Sequence, residues 1–126
     1  MTVPRPVNNF KKVYVGMCCD LIHHGHIRII KAAAAYGVVT VGLLSDAAIS
    51  TYKKPPILIY ESRKEVVESI RWVDKVVPQY TLSYRDNLLM ICPDYVVHAD
   101  DWKEGPQAQT RYEVIKTISQ WNGKLI

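Results

Sequence analysis

The chain has 126 residues, of which 48% are hydrophobic and 22% charged. That is one globular domain with a core of its own, and it excludes a disordered chain, a collagen-like repeat and a disulfide-dense mini-protein. Sixteen Lys and Arg against 12 Asp and Glu give a formal +4, scattered rather than massed, so the balance argues against a nucleic-acid binder.

The most apolar stretch, Ala32 to Leu44, contains Gly37 and Gly42 and is too short to span a bilayer, so no membrane association is expected. Met1 to Asn9 is polar and Pro-rich, unlike a signal peptide. Cys18 and Cys19 are adjacent and Cys92 is remote, a pattern of reduced thiols in a cytoplasmic protein.

In chain order, Val13 to Met17 reads as a buried strand. Gly25 to Tyr36 reads as a helix with Ile27, Ile30 and Ala34 on one face, stopped by Gly37. Val38 to Leu44 is a second apolar strand, and Ser45 to Ile59 is loop-rich around Lys53-Lys54-Pro55-Pro56. A helix is predicted over Glu61 to Val73 with Val66, Val67 and Ile70 on its apolar face, then a short strand Lys75 to Val77 stopped by Pro78. Leu82 to Cys92 is a helix and Tyr95 to His98 a strand leading into Asp100-Asp101-Trp102. Gln107 to Trp121 is a helix with Tyr112, Ile115 and Ile118 on one side, ended by Asn122-Gly123; Lys124 to Ile126 opens a further strand. Apolar strands alternating with helices predict an α/β domain, a Rossmann-like doubly wound parallel sheet of five strands covered on both faces. Its ligand should lie beyond the C-terminal strand ends, where the strand order switches direction.

The segment that follows the first strand, Asp20-Leu21-Ile22-His23-His24-Gly25-His26, falls at that position. His23 and His26 are three residues apart and project from nearly the same side of the helix start. Gly25 lets a phosphate approach the backbone, and the helix-start N–H groups add positive potential, so together these groups suit a polyphosphate. Two other readings compete: polar surface histidines, and a metal site drawn from Cys18, Cys19, Asp20, His23, His24 and His26. The metal reading finds no second ligand cluster at a usual zinc spacing, and it leaves Lys53-Lys54 and Asp100-Asp101-Trp102 unexplained.

With its His-x-Gly-His, Val13 to Ile30 resembles the opening of the cytidylyltransferase family of nucleotidyltransferases. Four more segments are similar to that family in order: Lys53-Lys54-Pro55-Pro56, Tyr60-Glu61-Ser62-Arg63-Lys64, Ile70-Arg71-Trp72-Val73-Asp74, and Asp100-Asp101-Trp102, which follows Ala99 where the family has Gly. Asp20 to His26 together with Pro93 to His98 looks most like the phosphonate branch, often encoded with or fused to phosphoenolpyruvate mutase.

The resemblance implies transfer of CMP from CTP to 2-hydroxyethylphosphonate or 2-aminoethylphosphonate with release of pyrophosphate. The alternatives are a phosphoalcohol acceptor (glycerol 3-phosphate or phosphoethanolamine) and a non-catalytic nucleotide-binding module. It implies catalytic roles for His23, His26 and one of Lys53 and Lys54. Nucleotide contacts fall to Met17, Cys18, Cys19, Gly25, Asp100 and Trp102, and acceptor contacts to Asp20, His24, Arg63, Arg71 and Asp101. Mg²⁺ is expected on the triphosphate, with no protein side chain as ligand, and the family suggests a homodimer. It also carries an Arg/Tyr-Thr-x-Gly-x-Ser-Thr segment after its last strand, which residues 1–126 are expected to lack.

Overall fold

The computed structural model describes residues 11–52, 54–98 and 108–126. Among them, β1 (Lys12–Met17), β2 (Val38–Leu44), β3 (Lys75–Gln79), β4 (Tyr95–Val97) and β5 (Lys124–Leu125) form one parallel sheet in the order β3-β2-β1-β4-β5. The order reverses at β1, whose neighbours are β2 and β4, and the two halves of the chain wind outward from there. The expected α/β class and sheet are observed.

The period of two along the central strands assigns the two faces. Val13, Val15 and Met17 of β1 and Val39, Val41 and Leu43 of β2 point to one side, where α1 (His24–Ala34) contributes Ile30, Ala33 and Ala34 and α3 (Tyr60–Glu68) contributes Val67. Tyr14 and Val96 point to the other, against Leu88 of α4 (Arg85–Ile91) and Val114 and Ile118 of α5 (Ala108–Ile118). Each buried Val, Leu, Ile or Met among them contributes about 1.5–3 kcal/mol of transfer free energy. Gly16 and Gly42 pair in register and make room on the second face. A side chain at Gly42 would strike the Tyr14 hydroxyl, and one at Gly16 the Tyr84 ring. The two rings meet edge-on with centroids 5.7 Å apart.

Several element limits differ from the sequence reading. The stretch 45–59 contains a short helix, α2 (Asp46–Ser50), started by the Ser45 hydroxyl accepting from the Ala48 N–H at 3.1 Å. The helix expected to Val73 stops at Glu68, and Val66 lies on its exposed side, because the chain must turn back into β3. There the Asp74 carboxylate accepts from the Val39 N–H at 2.8 Å. Pro78 does not end β3; it pairs with Leu43, since β3 is an edge strand where a missing N–H costs no ladder bond. On α5 the buried stripe is Val114, Thr117 and Ile118, while Tyr112 is 67% exposed and Ile115 38%. Both stripes share Ile118, and packing against the sheet selects the one that leaves the tyrosine at the surface. No helix among the described residues is long and apolar enough to cross a membrane.

A buried polar cluster sits on the second face, between the sheet and α4. The Tyr14 hydroxyl donates to Gln79 Oε1 at 2.5 Å and accepts from Asn87 Nδ2 at 3.0 Å, and burial pushes its phenol well above the ordinary range. Tyr14→Phe leaves Gln79 and Asn87 each short of a partner, so urea unfolding should show a loss of about 1–3 kcal/mol.

Candidate functional site

The C-terminal ends of β1, β2, β3 and β4 lie at one end of the sheet, because the strands are parallel. The order reverses between β1 and β4, so α1 leaves toward one face and α5 approaches along the other. The crevice between them is the ligand position of open α/β sheets.

His23 is the N-cap of α1 and shapes the turn. Its Nδ1 accepts from the Gly25 N–H at 3.0 Å, while its own N–H donates to His26 Nδ1 at 3.1 Å. This reciprocal cap holds the two rings 4.2 Å apart. With both Nδ1 atoms accepting, each neutral imidazole carries its proton on Nε2, so both side chains present N–H donors. The structure gives Gly25 a reason other than phosphate access. A Cβ there would lie 2.8 Å from His23 Cε1, so the glycine is needed for the cap itself. The His24 ring stands 5.6 Å from that of His23 and is exposed.

Two side chains brace this turn. Asp20 accepts from the Ile57 and Leu58 N–H groups, both at 3.0 Å, and so clamps the stretch that follows the lysines against the histidine turn. Arg63 is fully buried. Its Nε donates to the Leu58 carbonyl at 3.0 Å, and Nη1 donates to the carbonyls of Cys18 and Leu44, each at 2.8 Å. Its Nη2 reaches Asp46 Oδ1 at 2.6 Å in an ion pair.

The sequence candidates therefore separate. His23, His24, Gly25, His26 and Asp20 are together, with Cys18 beside them and exposed Lys54 three residues before the clamped Ile57. Arg63 was expected at the acceptor, but its donors are committed to three carbonyls and a carboxylate, so it positions loops. Arg71 lies at the wrong end. It follows α3 near the start of β2, seven residues or about 20 Å of strand from the site, with its guanidinium 5.4 Å from the Trp72 ring centre. The Met17 and Cys19 side chains are buried in the core, so only their backbone can face a nucleotide. Lys53, Asp100, Asp101 and Trp102 lie outside the described residues. Among the described residues no three His, Cys, Asp or Glu side chains converge as metal ligands.

Sequence reasoning missed Arg111, in the first turn of α5. It is half-buried, and its Nε is buried without a hydrogen-bond partner. Its spacing of three and seven residues from buried Val114 and Ile118 is the signal that places it on the sheet-facing stripe.

Capping and chemistry can be told apart at His23. Asn keeps a capping oxygen, so His23→Asn should unfold close to wild type, whereas His23→Ala should lose about 1 kcal/mol in denaturant titration. Burial first, and the neighbouring Cys18 next, push the Cys19 thiol up to about 12. The folded chain then holds a proton that the unfolded chain releases near the ordinary thiol value, so stability should fall as pH rises through that window. At neutral pH a thiol reagent should label exposed Cys92 quickly and Cys19 only on unfolding.

The cytidylyltransferase-like family model matches residues 14–126. An ethanolamine-phosphate cytidylyltransferase of Dictyostelium discoideum is 34% identical over 83% of this chain and 30% of its own length. A glycerol-3-phosphate cytidylyltransferase of Bacillus subtilis is 33% identical over 74% of each chain. The chain spans 28–31% of the length of the ethanolamine-phosphate relatives it matches. A lipopolysaccharide core biosynthesis protein of Thermoplasma volcanium, 19% identical, superposes with a TM-score of 0.75 over 91% of both chains and shares the fold. With the match extending from β1 to the last residue of the chain, this protein belongs to the cytidylyltransferase-like family.

Proposed function

We propose that this chain transfers CMP from CTP to a small acceptor bearing a phosphoryl oxygen, with release of pyrophosphate. The observation that carries the reading is the reciprocally capped His23–His26 pair at the switch point beside a helix start, with both Nδ1 atoms accepting from backbone N–H groups. An ionised acceptor oxygen forms a bond to the α-phosphorus as the bond to the pyrophosphate oxygen breaks, and the pyrophosphate leaves with that electron pair. No proton has to be removed from such an acceptor, so the protein acts by positioning and charge neutralisation. His23 and His26 hold the triphosphate and stabilise the charge that develops on it. Lys54, with Lys53, lies in the loop that Asp20 clamps and supplies cations to the phosphates. Mg²⁺ enters as part of the Mg·CTP substrate and neutralises the triphosphate, which requires no ligand from the protein.

The acceptor proposed is a phosphonate, 2-hydroxyethylphosphonate or 2-aminoethylphosphonate, on the combined pattern of Asp20 to His26 and Pro93 to His98. A second reading, phosphoethanolamine or glycerol 3-phosphate, is favoured by the names of the relatives.

Pyrophosphate release from Mg·CTP across these four acceptors tests both. Turnover should appear with one class and fall by about 10²–10³-fold in His23→Asn and in His26→Ala. Binding of CTP with no release on any acceptor favours a non-catalytic nucleotide module instead.

A further inference from the structure

Arg63 is fully buried and Arg111 is half-buried with its Nε enclosed, and their surroundings differ. Arg63 meets three carbonyls and a carboxylate. Arg111 makes no hydrogen bond or ion pair among the described residues, although its Nε is buried. A desolvated donor on a charged group is costly unless something satisfies it. Arginine cannot escape the cost by losing its proton.

Its place in the fold says what that partner is. Arg111 stands one turn above Val114 on the sheet-facing stripe of α5, at the helix end nearest the C-terminal edge of the sheet. The first turns of α5 are held there by the Ser83 hydroxyl, which donates to Glu113 Oε1 at 2.5 Å from the loop after β3. Next to it Tyr84 reaches toward the Gly16 carbonyl at 3.4 Å, and His98, just past β4, stands 6.3 Å from the Tyr84 ring. Arg111 thus stands on α5 at the end of the sheet where β1 leads into the His23–His26 turn.

We infer that Arg111 is a substrate-binding residue whose guanidinium takes a phosphoryl oxygen of the bound substrate. The inference rests on the proposed reaction for the identity of the substrate. The planar fork of arginine suits a phosphoryl group, and the enclosed Nε is the donor that such an oxygen would satisfy. Left without an anion, the buried Nε is an unsatisfied donor that costs stability; with one, it contributes to binding.

The test compares wild type with Arg111→Met, which keeps an unbranched apolar stem and removes the charge, and with Arg111→Lys. Calorimetry gives the dissociation constants for Mg·CTP and for inorganic pyrophosphate, and steady-state assays give KM for the acceptor. Arg111→Met should weaken the CTP or the acceptor constant by about 10- to 100-fold, the range of a charge-assisted contact, with Arg111→Lys between it and wild type. Its melting midpoint should equal or exceed that of wild type, which a structural arginine would not allow. Loss confined to CTP and pyrophosphate assigns the contact to the triphosphate, and loss confined to the acceptor assigns it there. All three constants at wild-type values, or a fall in melting midpoint like that of a truncated core residue, overturn the inference. A wild type that binds pyrophosphate but not CTP defeats the cytidylyltransferase reading, and the pyrophosphate difference between wild type and Arg111→Met still decides the anion site.

Discussion

The site depends on a single buried cation. Arg63 ties together the end of β1 at Cys18, the end of β2 at Leu44, the start of α2 at Asp46 and the stretch after the lysines at Leu58. Parallel strands expose their carbonyls at their C-terminal ends, and the loops that leave them run in different directions. A guanidinium with a fixed fork of donors can satisfy several of these carbonyls at once, which an ammonium on a flexible stem cannot do as rigidly. Its partners offset its own desolvation, so the charge can remain interior. Asp20 works beside it from the other side of the same loop, accepting two adjacent backbone N–H groups.

The histidine turn shows one set of atoms meeting two demands. A helix start needs acceptors for its unpaired N–H groups, and most sequences supply a Ser, Thr, Asp or Asn side chain. Here an imidazole nitrogen does so. Because the capping nitrogen is Nδ1 in both rings, the cap also decides which nitrogen carries the proton. Gly25 has to lack a side chain so that the His23 ring can close over it. The His-x-Gly-His spacing is therefore a structural requirement of the turn before it is a chemical one.

Much of the fold was legible in the sequence. The β1 and β2 strands, the helix between them and the last strand follow from apolar runs and from Gly37, Asn122 and Gly123, because local pattern decides such elements. The His23–His26 pairing was legible too, since a spacing of three at a helix start brings two side chains together wherever the helix lies. The end of α3 and the inner face of α5 were not. The first is set by the turn that returns the chain to β3 and the second by which of two nearly equivalent apolar stripes finds the sheet, and both are settled by packing.

By itself the sequence determined the family, the parallel sheet and the place of the histidine turn, because these rest on periodicity and on residues close together in the chain. Only the tertiary structure decided what the arginines do. Arg63, Arg71 and Arg111 look alike as letters in helical or turn segments. One is consumed by three carbonyls, two of them at the ends of β1 and β2 and far off in sequence, one lies against Trp72 at the far end of the sheet, and one is left with a buried donor unsatisfied. The reason is physical: the fate of a guanidinium is set by the acceptors that long-range packing brings within about 3 Å of it, and no local pattern records them.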